Sequence, residues 1–132
     1  MAWFKSDDQL HSHPKARKAQ LEAMGLWAVA GPYSSGYKLD GFVPVHYVTS
    51  WPKGKALAAR LVSAGLWHVN EPGLACDCLP DGADLTEPGW RFHDYLDYNP
   101  TAEEVERERE AARIRQQRFR ERRMSRANGE ER

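Results

Sequence analysis

Cys76-Asp77-Cys78 sets two soft sulfur ligands one residue apart, and His68 and His93 flank them along the chain. A structural zinc ion takes four Cys or His ligands in a tetrahedron, so these residues form one candidate set. The spacing counts against it, because Cys-x-Cys is tighter than the usual zinc knuckle. The sequence therefore reads as two free thiols in a flexible loop, with no metal and no cofactor expected. The two cysteines are also too close for ordinary disulfide geometry and do not suggest a secreted disulfide framework. His11 and His13 read as a helix entry rather than as ligands.

A second chemistry is available to the basic residues. Lys53, Lys55 and Arg60 fall within the short helical run 53–64, with the small residues Ala56 and Ala59 between them and Ser63 one turn on, and Ser63 is itself a candidate DNA contact. Small residues let a helix approach a duplex closely. Arg60 suits a bidentate contact to guanine, and lysines more often meet phosphate. Further along, 113–126 carries seven arginines against Glu121 alone. Arg113, Arg115, Arg118, Arg120, Arg122 and Arg123 are thus candidates for phosphate contacts that release counterions. The bland reading of the third-helix residues is an ordinary solvated face; the arginine run can equally be a solvated helix, or a surface for a partner protein or for self-association. Val105, Ala112 and Phe119 recur every seven residues, but the positions between them, Glu108, Arg115 and Arg122, are charged, which makes a poor coiled-coil seam.

Catalysis finds no support. His93-Asp94 has the order of the metal-binding dyad of HD phosphohydrolases, but those need more His and Asp ligands on helices, and here the pair falls on an expected strand. No nucleophile elbow, phosphate loop or paired-carboxylate motif is present. No enzymatic activity is expected.

These residues need elements to hold them. Residues 1–12 read as an extended lead-in. Pro14 suits a first helical turn, with Ser12 or His13 as N-cap. Ala16, Ala19 and Ala23 make a small apolar stripe, with Leu21 and Met24 adding bulk beside it. Gly25 is expected to stop or weaken that helix, Gly31-Pro32 to break or kink the chain, and Ser34-Ser35-Gly36 to form a loop. Asp40-Gly41 is a turn, Phe42-Val43 a very short strand, and Val45 to Trp51 a second helix opened by Pro44 and limited by Pro52. The third helix, about 53–64, would bury Leu57, Ala58, Leu61 and Val62 and end at Gly65. Leu66–Val69 and Trp90–Tyr95 read as paired strands joined by the long Pro/Gly/Asp-rich loop 70–88. Thr101 is a plausible N-cap for a helix from about 102 to the mid-120s, ended by Asn128-Gly129. Trp27, Trp67, Trp90 and Phe92 read as core, and burial is the default for Trp3 and Trp51.

The 132 residues suffice for one domain, about 1–100, and an Arg/Glu-rich helical tail, 101–132. Formal net charge is zero, but it is segregated. Residues 1–100 hold nine Lys/Arg and eleven Asp/Glu. Within the tail, 103–110 has five Glu against two Arg, before the arginine run begins. That segregation matters for polyanion binding, and the averaged charge hides it. No apolar run approaches a membrane span, and the N-terminus lacks the basic-then-apolar order of a signal peptide, so a cytoplasmic protein is expected.

Trp3-Phe-Lys-Ser-Asp-Asp-Gln-Leu-His-Ser-His-Pro-Lys15, Gly25-Leu-Trp27, Asp40-Gly-Phe-Val-Pro44, Leu61-Val-Ser-Ala-Gly-Leu-Trp67 and Phe92-His-Asp-Tyr-Leu-Asp-Tyr-Asn-Pro100 together resemble the small winged-helix proteins of actinobacterial phages and prophages. Those are similar in plan to the N-terminal domains of phage replisome organisers and DnaD-type initiators. The resemblance covers about residues 1–100 and the charged tail. It implies an α+β winged helix-turn-helix with a two-stranded wing, followed by a long charged helix. It also implies double-stranded DNA as partner, in replication initiation or transcription regulation. A replication or host protein could bind through the tail. The alternative from a different class is a protein-interaction adaptor, in which the acidic loop 77–87 and the tail bind a host or replisome protein.

Overall fold

The computed structural model describes residues 4–7 and 9–130. Trp3 and Asp8 lie outside the described residues, so the readings that fall on them have no structural counterpart. The chain divides into two compact units, Met1–Thr101 and Ala102–Arg132. The first is α+β. In chain order it holds a 3-10 turn (Leu10–Ser12), α1 (Pro14–Gly36), β1 (Phe42–Pro44), α2 (Val45–Thr49), α3 (Gly54–Ser63), β2 (Trp67–Asn70), β3 (Gly89–Phe92) and α4 (Tyr95–Tyr98). The second is one long helix, α5 (Ala102–Glu130).

α1 opens as the sequence predicts: His13 is the N-cap, and its ring Nδ1 accepts the amide of Lys15 at 3.1 Å. Beyond that the helix corrects the sequence reading. It runs through Gly25, through Gly31-Pro32 and through Ser34-Ser35-Gly36, and its non-helical interruption falls at Gln20 (φ 70°, ψ 163°). Continuity has a packing reason. Ala23, Leu26, Ala30, Gly31 and Ser34 are all buried on one side, so stopping at Gly25 or Gly31 would expose the rest of that face. Pro32 stands exposed inside the helix, where it forgoes a backbone hydrogen bond, and the buried residues on either side of it keep the chain helical. Ser34 is buried with its hydroxyl accepting the Gly41 amide at 2.8 Å, which ties the end of α1 to the Asp40-Gly41 turn. Leu21, by contrast, is 88% exposed and contributes nothing to the core.

The sheet has three antiparallel strands in the order β1-β3-β2. The expected pair β2/β3 is present, and the short segment Phe42–Pro44 adds a third strand against β3. Trp67 pairs with Phe92, His68 with Arg91 and Asn70 with Gly89, while Val43 lies opposite Trp90. Strand alternation therefore puts Trp67, Phe92, Val43 and Trp90 on one face and Phe42, Arg91, His68 and Asn70 on the other. The first face meets α1 and α3 in a core of Ala19, Ala23, Leu26, Ala30, Val43, Val48, Leu57, Leu61, Trp67, Phe92 and Tyr95. Trp27 and Trp90 pack on that core half-buried, and Trp51 is 44% exposed, against the default of burial. β3 stops at Phe92; His93 and Asp94 form a turn and Tyr95 starts α4, where the sequence suggested one strand to Tyr95.

The lead-in is part of the fold. Phe4 packs edge-on against Trp27 and Phe92, with centroids at 5.1 and 5.6 Å. The Lys5 amide donates to Asn99 Oδ1 at 2.8 Å, so the two ends of the first unit are joined. α5 continues past Asn128-Gly129, which was expected to end it. Its Ile114, Phe119 and Met124 are all exposed. Exposed pairs Glu106–Arg109 and Glu110–Arg113 lie one turn apart along it, at 3.4 and 2.5 Å. No helix among the described residues is long and apolar enough to cross a membrane.

Candidate functional site

α2 and α3 are joined by the turn 50–53. Lys53 takes a left-handed conformation there (φ 60°) as the N-cap of α3. Gly54 is buried where α3 begins, close under the end of α2. The far end of α3 is a Schellman cap: Leu66 N donates to Leu61 O and Gly65 N to Val62 O, both at 3.0 Å, with Gly65 at φ +83°. Positive φ is why glycine stands at that position. Between these ends Leu57, Ala58 and Leu61 are buried and Val62 is half-buried. Lys55, Ala56, Ala59 and Ser63 are exposed and Arg60 is half-exposed, so the helix presents the face expected of it.

Electrostatically that face is mixed. Lys53 Nζ lies 3.6 Å from Glu22 Oε1 on α1, a solvent-exposed pair worth little in stability that lowers the net positive charge at the entry of α3. Lys55 and Arg60 form no ion pair among the described residues. In the second unit Arg113, Arg115, Arg118, Arg120, Arg122 and Arg123 are all exposed. Arg113 is engaged by Glu110, whose carboxyl is held below its ordinary range by that guanidinium, and Arg123 lies over the Phe119 ring at 5.9 Å.

A feature absent from the sequence reading borders α2. Tyr37, Tyr33, Tyr47 and Trp51 form a continuous ladder, with successive centroids at 4.7, 3.9 and 6.5 Å, and Tyr37 and Trp51 exposed. The spacings Tyr33/Tyr37 and Tyr47/Trp51 are each one helical turn and were legible as same-face pairs.

The outer face of the sheet holds the second cluster, and loop 71–88 is tied to it at two places. At one, Arg91 is 6% exposed; its Nε donates to Asn70 Oδ1 at 2.7 Å and an Nη to the Asp84 carbonyl at 3.0 Å, while its guanidinium lies 5.3 Å over the Phe42 ring. Asn70 Nδ2 donates to the carbonyls of Asp84 and Glu87 at 3.1 and 2.7 Å. Burial pushes the guanidinium below its ordinary pKa, and Asp84 and Asp40 oppose that shift. This buried polar network was missed in the sequence, where a lone Arg between Trp90 and Phe92 looks like an outward strand residue.

At the other place His68, Cys76, Cys78 and His93 converge, with their ligand atoms all within 4.8 Å of one another. Alternation sets His68 on the outer face opposite Arg91, and His93, two residues past Arg91, continues that side. The Leu79 amide bonds Cys76 O at 3.2 Å, a turn that directs Cys76 and Cys78 to the same side. His68 Nε2 is 2.9 Å from His93 Nδ1, and Cys76 Sγ is 3.6 Å from the same nitrogen. The other His93 nitrogen, Nε2, lies 3.0 Å from Asp94 Oδ1. Asp94 adopts φ 61° in the turn. Burial pushes the Cys78 thiol up to about 11, and burial together with His93 lowers the pKa of His68, so both are neutral near pH 7.

No family model, curated protein or solved structure matches this chain.

Proposed function

We propose that the protein binds double-stranded DNA as a winged-helix module without enzymatic activity. α3 would enter the major groove, and the arginines of α5 would meet phosphate. The observation that carries this reading is the exposed face of α3, on which Lys55 and Arg60 stand among small residues one tight turn after α2. Two helices so joined are the arrangement that puts a second helix into a groove. The order helix, strand, helix, helix, strand, strand around it supports the winged-helix reading of the first unit. The resemblance given above points to replication initiation or transcription regulation as the setting.

The adaptor reading keeps one specific support. Asp77, Asp81, Asp84 and Glu87 are exposed on loop 71–88, and Lys53 is already paired. A titration of labelled duplex by fluorescence anisotropy separates the two. Arg60→Ala is expected to cost about 1–3 kcal/mol and to relax sequence preference, as loss of a bidentate base contact does. Lys55→Ala should weaken all sequences alike. Equal affinity of the wild type and the Lys55→Ala/Arg60→Ala variant would remove α3 from the interface and leave the adaptor standing.

A further inference from the structure

The geometry points to a structural zinc site formed by His68 Nε2, Cys76 Sγ, Cys78 Sγ and His93 Nδ1, a site that does not depend on the DNA reading. The four ligands come from three separate places in the chain: β2, loop 71–88 and the turn after β3. Zinc bonds of about 2.0–2.3 Å in a tetrahedron place ligand atoms about 3.3–3.8 Å apart. The separations here, 2.9 Å between the two nitrogens, 3.6 Å from sulfur to nitrogen and none above 4.8 Å, straddle that edge length. Small side-chain rotations suffice to seat an ion.

The chemistry of the set selects the metal. Two thiolates and two imidazoles, with no carboxylate among the four, suit zinc and not calcium or magnesium, which take oxygen ligands. All four positions are filled by protein, as in a structural rather than a catalytic site. The surrounding shell is also present. His93 offers Nδ1 to the cluster while Nε2 faces the Asp94 carboxylate, an arrangement that fixes the tautomer and ring orientation of a metal-bound histidine. A hydrogen-bonded histidine pair beside two thiols would account for the 2.9 Å contact, but it would require neither the Cys76–Leu79 turn nor the carboxylate behind His93.

Zinc binding would displace the thiol protons of Cys76 and Cys78 to solvent and give a neutral Zn(S)2(N)2 centre. Its consequence in the fold is a clamp. Loop 71–88 would be held across the outer face of the sheet by the metal at one place and by Arg91 and Asn70 at the other.

The test is a titration of the reduced full-length chain with Co2+, followed by competition with Zn2+. One equivalent of Co2+ should give the intense visible bands of a tetrahedral ion and a near-ultraviolet thiolate charge-transfer band, both abolished by one equivalent of Zn2+. Protein purified under reducing conditions should carry one zinc per chain. Cys78→Ser and His93→Ala should each weaken Co2+ binding by at least about 100-fold. Chelation should make residues 71–88 the first site of limited proteolysis while the far-ultraviolet circular dichroism stays unchanged. A weak octahedral Co2+ spectrum, or substoichiometric zinc with identical proteolysis in the presence and absence of chelator, overturns the proposal. The wild-type spectrum decides the matter even if a variant fails to fold.

Discussion

Gly54→Ala should be among the most destabilising single-methyl additions in the molecule, lowering unfolding free energy by about 3 kcal/mol or more. Helix propensity alone predicts the opposite sign, since alanine is favoured over glycine by about 1 kcal/mol inside a helix. Contact decides. A Cβ at Gly54 would run into the carbonyl oxygen and carbon of Val48, which are backbone atoms at the end of α2, with the Val48 side chain behind them. Val48 is itself fully buried in the core, so α2 cannot retreat without opening a void. Relief requires α3 to shift relative to α2. Urea unfolding should show a lower midpoint at unchanged slope, and the same shift should weaken any ligand that reads α3. Stability within about 0.5 kcal/mol of wild type would mean that the α2–α3 junction is looser than its packing indicates.

The second large effect is expected at Arg91. Arg91→Ala removes a buried guanidinium and leaves Asn70 Oδ1 without its donor at 2.7 Å, beneath loop 71–88. Breaking a buried network from one side typically costs about 3 kcal/mol, because the remaining polar group is stranded. Arg91→Lys should recover little, since an ammonium cannot reproduce the fork that reaches both Asn70 and the Asp84 carbonyl. The loss should be uneven. Amide exchange in β2, β3 and 71–88 should accelerate most, while α1 keeps its protection, because its buried face packs on α3 and the opposite sheet face. Uniform acceleration over the whole unit would contradict the role of Arg91 as a local clamp.

The parts of this fold that were legible in the sequence are those governed by short-range chemistry. His13 before Pro14, Asp40-Gly41, the apolar face of α3 and Gly65 after it are each set by a few adjacent residues, and each stands where it was expected. The misplaced features depend on distant partners. Gly31-Pro32 reads as a break, but packing of Gly31 beneath the Phe4 ring and burial of Ser34 carry α1 onward. Trp90-Arg-Phe-His-Asp-Tyr reads as one strand, but the left-handed Asp94 turns the chain after His93. Cys-x-Cys reads as free thiols from its spacing; that His68 and His93 face the two sulfurs depends on β2 pairing with β3, which the local sequence does not show. Arg91 shows the same limit, because only loop 71–88 folding over it makes an outward strand position a buried one.

Duplex binding through α3 and the arginines of α5 is tested most directly by affinity for one duplex at two salt concentrations, with the full chain and with a chain ending at Pro100. About five phosphate contacts imply a logarithmic salt slope near −4.5, so raising salt about fourfold should weaken the full chain roughly 500-fold. The chain ending at Pro100 contains every core residue of the first unit and should keep its circular dichroism signal for that unit. With about two contacts left to it, the same change of salt should weaken it only about 10-fold, from a lower starting affinity. Absence of binding at the lower salt, or equal slopes for the two chains, would contradict the account: the first removes DNA as the ligand, and the second removes the arginine tail from the interface.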